Sequence, residues 1–508
     1  MPVNSERLDY QTAKKVWKRL RDCFGGRDAV LKAGEEYVPR LAGADSTANE
    51  AYRQRGNFYN AVARTVTGMN GALFQDEPKV EDAGVFEDYL DDVTLTGVPF
   101  ETFAVDAGKE IFLVGRYGVL IDFPEETARE VRPYVVGYPA ENIINWKTTR
   151  VNGDEQLSMV VLTETAKPFN GAKDDMFQET RVMQWRVLWV ENNICYVQLW
   201  QENPNKKTEQ ERFIPDGPPV PLTRRNVALD FIPFVFLGVH HATSVIEQPL
   251  LIDLADVNLA HWRNSVDHEY GLHLVALPTP WASGIKGSVG PNPAPMKLGP
   301  SVVWELELNG SAGMLEFSGS GLASLVAAMD EKKKQMATLG ARLLEDTPAG
   351  AETATSVRMR HSGDHASLRT VAGSMEQGFT AVLQMLFWWA GTEATPKDPG
   401  VEVEINKEFL NTKAQPQEIQ TMLTALQAGE ISYETWYEFL RAGGWTRDGV
   451  SVEDEKKAIA ERKKERMAQE PPIDPELSPG DPSLPPKKTA KNIIRDPKTG
   501  LVSRIEEE

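Results

Sequence analysis

Apolar positions recur at helical spacing through the first part of the chain. Tyr10 to Phe24 carries Val16, Trp17, Leu20 and Phe24 on one face and stops at Gly25-Gly26, which predicts a helix with a glycine terminator. Ala48 to Phe74 and Pro99 to Val114 predict two more. From Tyr117 the period shortens. Gly118 to Phe123, Pro133 to Tyr138 and Leu157 to Thr163 are short, β-branched and bounded by turn residues, the pattern of strands. Val182 to Val190 and Ile194 to Trp200 flank Glu191-Asn192-Asn193, a hairpin signature. Residues 117–240 therefore read as a β-rich region set among helices.

The period lengthens again at Pro249 to Leu272. Leu251, Ala255, Trp262, Val266 and Tyr270 form a seam, while Asp253, Asp256, Asn264 and Asp267 lie on another face. A core helix with a solvated acidic face accounts for this pattern. Residues 276–315 break it with eight prolines and glycines between Pro278 and Pro295, and Val302 to Leu308 reads as a strand. A second helix follows, striped by Leu322, Leu325, Val326, Met329, Met336, Leu339 and Leu343. A loop of small residues runs from Pro348 to Ala354. A third helix over Ser367 to Trp389 is striped by Leu368, Val371, Met375, Phe379, Val382 and Leu386. Gln417 to Gln427 and Tyr433 to Arg441 predict two short helices, with Ser432 placed to cap the second. Glu453 to Gln469 is a charged helix. Residues 471–508 are rich in proline and poor in apolar side chains, the composition of disorder.

Length and composition narrow the class. The chain has 508 residues, 41% hydrophobic and 25% charged, which suits two or three packed units and excludes collagen-like or wholly disordered chains. Its 55 Lys and Arg against 74 Asp and Glu give a net charge of −19. A surface this acidic is not expected to coat nucleic acid, because binding phosphates needs clustered cations. Cys23 and Cys195 are the only cysteines, too few for a disulfide framework or a four-cysteine zinc site, so a reducing, cytoplasmic setting is expected. Met1 to Arg7 shows no secretory pattern. Phe231 to Val239, the most apolar run, is half a membrane span.

The search for chemistry returns no catalytic candidate. No Gly-x-x-x-x-Gly-Lys-Ser/Thr motif is present. Gly319-Ser320-Gly321 has the form of an anion site ahead of a helix, and a flexible helix start explains it as well. His361 and His365 are four apart, and His261, His268 and His273 lie near Asp267 and Glu269. Neither group has the His-Glu-x-x-His pattern of a zinc hydrolase, and spacing alone says little. His240-His241 lacks a nucleophile elbow. No enzyme activity, metal or cofactor is expected.

Gly118-Val119-Leu120-Ile121-Asp122, Ile232-Pro233-Phe234-Val235, the run from Pro249 to Asn258, Leu339 to Leu344, Glu352 to Ser356 and Gly429-Glu430-Ile431-Ser432 follow one another in an order that resembles the tailed-bacteriophage portal, or head–tail connector, proteins. A branch of portal-like proteins with an uncharacterised domain is especially similar. The resemblance covers about residues 10–445; each motif is short, and their order carries it. It implies a mixed α+β, mainly helical subunit with wing, stem, clip and crown, closing into a cyclic ring that is usually dodecameric. By that resemblance 1–246 is wing, 247–273 a stem helix, 274–319 the clip and 320–343 the second stem helix. The tunnel loop is then 344–360, a wing helix 361–400, the crown 401–470 and a disordered tail 471–508.

The resemblance further implies a DNA channel at one capsid vertex, serving genome packaging, retention and ejection. It implies the large terminase subunit, head–tail adaptor or tail proteins, major capsid and scaffold proteins and double-stranded DNA as partners, with no membrane. The location expected is the virion, after assembly in the host cytoplasm. Lys332, Lys333 and Lys334, the densest cationic run on the second stem helix, and Arg342, Arg358 and Arg360 beside the tunnel loop are the candidates to meet DNA. At about 100° per residue three successive lysines fan over roughly 200°, so one or two face any channel. Trp281, Val302 and Trp304 are the candidates for clip docking. Two other readings stand beside this one: a different ring-forming head–tail adaptor, a class generally much shorter, and a multidomain hydrolase of unrecognised site.

Overall fold

The structure, a computed structural model, describes residues 2–124, 131–151, 153–166, 182–202, 212–277, 279–285, 299, 302–315, 319–340, 354–407, 416–442, 445–446, 451–469, 491–495 and 502–507. The chain divides into Met1–Phe409 and Leu410–Glu508, and its secondary structure is a mixture of helix and strand.

The first unit opens with α1 (Leu8–Gly25), which buries Tyr10, Trp17, Leu20 and Cys23. Gly26 ends it at φ 79°, its N–H donating to the Cys23 carbonyl, a conformation only glycine takes without strain. After α2 (Arg27–Ala33), the single helix expected over Ala48 to Phe74 is instead two, α3 (Ser46–Arg55) and α4 (Ala61–Leu73). The break has a tertiary cause. A Cβ on Gly56 would stand 2.5 Å from Val266 and 2.9 Å from Trp262, so the backbone there yields to a helix from elsewhere. Asn60 then restarts the helix by accepting the Ala63 N–H. A short α5 (Glu87–Leu90) and α6 (Phe100–Val114) follow.

Strand β1 (Lys79–Glu81) pairs with β14 (Glu402–Glu404), so residues just past 400 belong to this unit. β2 (Arg116–Asp122) is the middle of a three-stranded antiparallel sheet, between β3 (Tyr134–Pro139) and β11 (Phe234–Gly238). A five-stranded sheet runs in chain order through β4 (Ile143–Val151), β5 (Asp154–Ala166), β6 (Val182–Glu191), β7 (Ile194–Glu202) and β8 (Phe213–Pro221). Asn192 and Asn193, at φ 52° and 59°, turn β6 into β7 in the left-handed geometry a two-residue hairpin prefers. β8 carries Pro215, Pro218, Pro219 and Pro221 and lies on the outer edge, where missing N–H groups break no ladder. A small ribbon, β9 (Thr223–Arg224) with β10 (Val227–Ala228), precedes β11. Arg186 joins the two sheets, with Nε 2.6 Å from Glu164 and Nη1 3.0 Å from Asp122.

Three long helices follow. α7 (Ile252–Ala276) and α8 (Leu322–Leu339) enclose an antiparallel ribbon of β12 (Thr279–Ile285) and β13 (Leu306–Leu315). The strand expected at Val302 to Leu308 is therefore displaced toward the C-terminus. Its register, Ser283 opposite Ser311 and Trp281 opposite Gly313, recruits small residues of low strand propensity, because pairing outweighs intrinsic preference. α9 (Ala354–Ala390) begins well before the expected Ser367, through a polar stretch that offers no stripe to read. All six of its expected stripe residues are buried.

The second unit contains α10 (Pro416–Ala428), α11 (Tyr433–Ala442) and α12 (Val452–Gln469). Ser432 Oγ accepts the Thr435 N–H at 3.2 Å, capping α11 as expected. Within 471–508, where disorder is expected, the described residues are β15 (Lys491–Arg495), which pairs antiparallel with β16 (Val502–Glu507); the rest of that segment lies outside the described residues. Ile493 lies opposite Ile505 and Lys491 opposite Glu507; such cross-strand pairs stabilise a ribbon that a proline-rich average conceals.

Candidate functional site

The inner half of α7 belongs to the core of the first unit. Ala255, Trp262 and Val266 of the expected seam are buried and Tyr270 is half-buried, while Leu254 and Leu259, outside that seam, are buried as well. Its acidic side carries two tethers to the helices beneath: Asp256 accepts from Arg19 at 2.6 Å, and Tyr52 donates to Asp267. The helix has 25 residues, about 37 Å at 1.5 Å per residue, and its outer part leaves the core, with Leu272, Leu274, Val275 and Leu277 exposed.

α8 returns antiparallel along it. At the inner end Met336 is fully buried, and a Cβ on Gly340 would meet Thr65 at 2.7 Å and Leu254 at 3.2 Å. At the outer end Gly271 lies so close to Leu322 that a Cβ would stand 2.7 Å from its side chain. Between those ends the α8 stripe is poorly covered: Met336 alone of its described members is buried, and Val326 and Leu339 are exposed. The β12–β13 ribbon is also apolar and open. Val303 is 87% exposed and Leu308 fully so, with Met314 and Leu315 beside them on the surface. Among the described residues this element thus presents an extended apolar surface without a partner, a feature that marks interaction sites.

The candidate residues fall on this element to different degrees. Trp281 is 45% exposed, and its indole lies over Gly313, where a Cβ would be 3.1 Å from Nε1. Val302 is exposed and Trp304 half-buried, both ahead of β13. Lys333 and Lys334 are exposed; Lys332 is half-buried, and Lys333 stands 3.5 Å from Asp330. Arg342 lies outside the described residues, as does 344–353 of the expected tunnel loop. Arg358 and Arg360 fall on the first turns of α9, and their side chains lie outside the description, as do those of His361 and His365.

Two buried basic groups stand apart: His261, which the sequence shows only as one of a loose group of histidines, and Arg116, for which the sequence gives no signal. His261, on α7, is 5% exposed, and neither ring nitrogen has a hydrogen-bond partner. The Tyr59 ring lies 6.1 Å away. Burial first, then Lys333 and Lys332, bring the imidazole down to about 4. Arg116, at the start of β2, is 2% exposed between the Trp146 and Phe236 rings, at 4.4 and 4.3 Å. It donates to the Ser244 and Val245 carbonyls and so fastens the segment leading into α7. Burial, with Arg7 nearby, brings its guanidinium down to about 9. Nothing in the local pattern distinguishes either residue: one interrupts an apolar seam, the other opens an apolar strand.

Other surfaces offer little reactivity. Burial pushes the Cys23 and Cys195 thiols up to about 12, away from the thiolate that nucleophilic chemistry needs. Among the described residues no group of three or more His, Cys, Asp or Glu is placed to hold a metal ion. A cleft of about 560 Å³ separates α1 from Trp146 and residues 244–249. A second, of about 1010 Å³, is floored by Phe231, Met385 and Trp388 with Arg224, Arg225 and Lys397 at its rim. No described helix is long and apolar enough to cross a membrane.

Comparison with known proteins gives a family match over α7 to α9: residues 249–390 match a family described as a domain of unknown function (DUF4055). No curated protein matches. Among solved structures the chain is similar to the neck of a native GTA particle computed with C12 symmetry, at 13% identity and TM-score 0.37, over 81% of this chain and 97% of that one. It is also similar to the neck of an empty GTA particle computed with C6 symmetry, at 14% identity and TM-score 0.38, over 83% and 99%. A third similarity is to the virion of a native gene transfer agent particle, at 14% identity and TM-score 0.37, over 82% and 98%. Superpositions this loose carry no argument about role.

Proposed function

We propose that this chain is a portal-type head–tail connector subunit. Copies close into a ring around a channel for double-stranded DNA at a capsid vertex, and the subunit itself is not an enzyme. The observation that carries the reading is the apolar surface left open along α8, the outer part of α7 and the β12–β13 ribbon. Side-by-side copies would cover it, and a repeated heterologous contact closes into a ring when its rotation divides a full turn. The order helix, ribbon, helix, long helix matches the stem, clip, stem and wing helix implied by the resemblance. The net charge of −19 suits a conduit that lets DNA slide, because affinity for phosphates depends on cations that release counterions.

On this reading the ribbon around Trp281, Val302 and Trp304 docks the large terminase subunit and later the head–tail adaptor, while capsid and scaffold proteins meet the wing. The copy number is that of the family, usually twelve. Mass measurement of the purified assembly with negative-stain imaging tests the proposal: a ring with a central hole is expected. A 56.5 kDa monomer at every concentration and salt would overturn it. Shortening 284–295 tests docking separately, with rings retained and terminase binding lost as the expected result.

A further inference from the structure

His261 lies at the inner part of the α7–α8 pair, almost wholly removed from water and with both ring nitrogens unsatisfied. A neutral imidazole tolerates that position; an imidazolium has nowhere to place its two donors. The groups around it make a charge still less welcome. From α8, Lys332 and Lys333 act on it as positive charges and Asp330 as the one opposing negative charge. Asp330 is itself engaged with Lys333. From the α4 side comes Tyr59, whose other neighbour is Arg64, 5.4 Å from the ring centroid. Along α7 itself the adjacent charge is Arg263, and Asn258 donates from its Nδ2 to the Tyr59 carbonyl while its Oδ1 has no partner among the described residues. Cations outnumber carboxylates about this ring.

We propose that His261 is a proton-operated latch between α7 and α8: neutral, it lets α8 with its half-buried Lys332 lie against α7, and protonated, it drives α8 away and frees Lys332 to join the exposed Lys333 and Lys334. The inference rests on the channel reading only for its consequence, that the reach of these lysines toward DNA phosphates depends on the charge at position 261. Separation returns the imidazole to water and to its ordinary range near 6.5, whereas the closed pair holds it near 4. Protons therefore bind the open form more readily, and the closed-to-open ratio falls by up to about tenfold per pH unit across that window.

The test uses the full chain with spin labels on cysteines introduced at the exposed positions Asp253 and Gln335; native Cys23 and Cys195 are buried and spared. The interlabel distance should lengthen by several ångströms as pH falls from 7.5 to 4.5. His261→Gln, neutral throughout, should stay closed at both. His261→Arg should be open already at pH 7.5, and if it does not fold, the Gln variant decides. A constant distance in the unsubstituted chain, or equal lengthening in the Gln variant, overturns the latch. No DNA takes part, so the result is independent of the channel. Rings whose DNA retention ignores a demonstrated opening would instead count against the lysines as DNA contacts.

Discussion

Arg116 has the burial of a core leucine and the charge of a surface residue, and two aromatic rings with two backbone carbonyls hold it. Truncation removes both roles. Arg116→Ala should cost about 2–4 kcal/mol in denaturant unfolding, the range for a large buried side chain replaced by a void. Arg116→Met, which refills the slot without a charge, should cost less than half as much. Equal losses would show that the two hydrogen bonds, not the packing, set the cost. Glu164 gives the acid-side prediction. Burial alone would raise its carboxyl, but Arg186, Tyr138 and Gln184 hold it below the ordinary range. A lowered folded value means stability that is complete above the unfolded value near 4.5 and lost as pH falls through the folded one. Urea midpoints measured from pH 6 to 3 should therefore fall, and Glu164→Gln should be less stable at pH 6 with a flatter profile.

Among the elements, legibility followed burial against the chain's own core. The stripes of α1, α6, inner α7 and α9 were readable because each covers one face and solvent the other. The α3–α4 break was not, because its cause is Val266 and Trp262, some two hundred positions away. β4 was passed over because burial ends at Trp146 and its second half is exposed, so alternation never develops. His261 is visible only as a member of a loose histidine group and Arg116 not at all, since the character of each comes from neighbours contributed by other elements. The lysine run was visible as a cluster, but its division into half-buried Lys332 and exposed Lys333 and Lys334 needed the packing of α8. Replacing all three by Ala should leave rings intact and reduce DNA retention in a salt-sensitive way, since each phosphate contact contributes a screened term. Retention assays at low and high salt check this; unchanged retention removes the lysines from the mechanism.

For the whole molecule, the surface assigned to assembly lies within Met1–Phe409, on α7, α8 and their ribbon. Deleting 471–508 should therefore leave the ring's sedimentation coefficient nearly unchanged apart from the lost mass. Dispersal to monomers in analytical ultracentrifugation would place an assembly contact beyond residue 470.

Were copies gathered around one axis as proposed, β8 would be a hazard. A sheet edge held near its own duplicates at high local concentration is a template for runaway hydrogen-bonded stacking. Pro215, Pro218, Pro219 and Pro221 leave β8 without four of its nine backbone donors, so an incoming strand finds a defective ladder. In the proposed ring the prolines would guard that edge, leaving side-chain surfaces to govern association. Replacing all four by Thr should leave the isolated fold largely unaltered and yield fibrillar material that binds thioflavin T as concentration rises. Continued solubility of that variant would mean the edge is shielded by some other device.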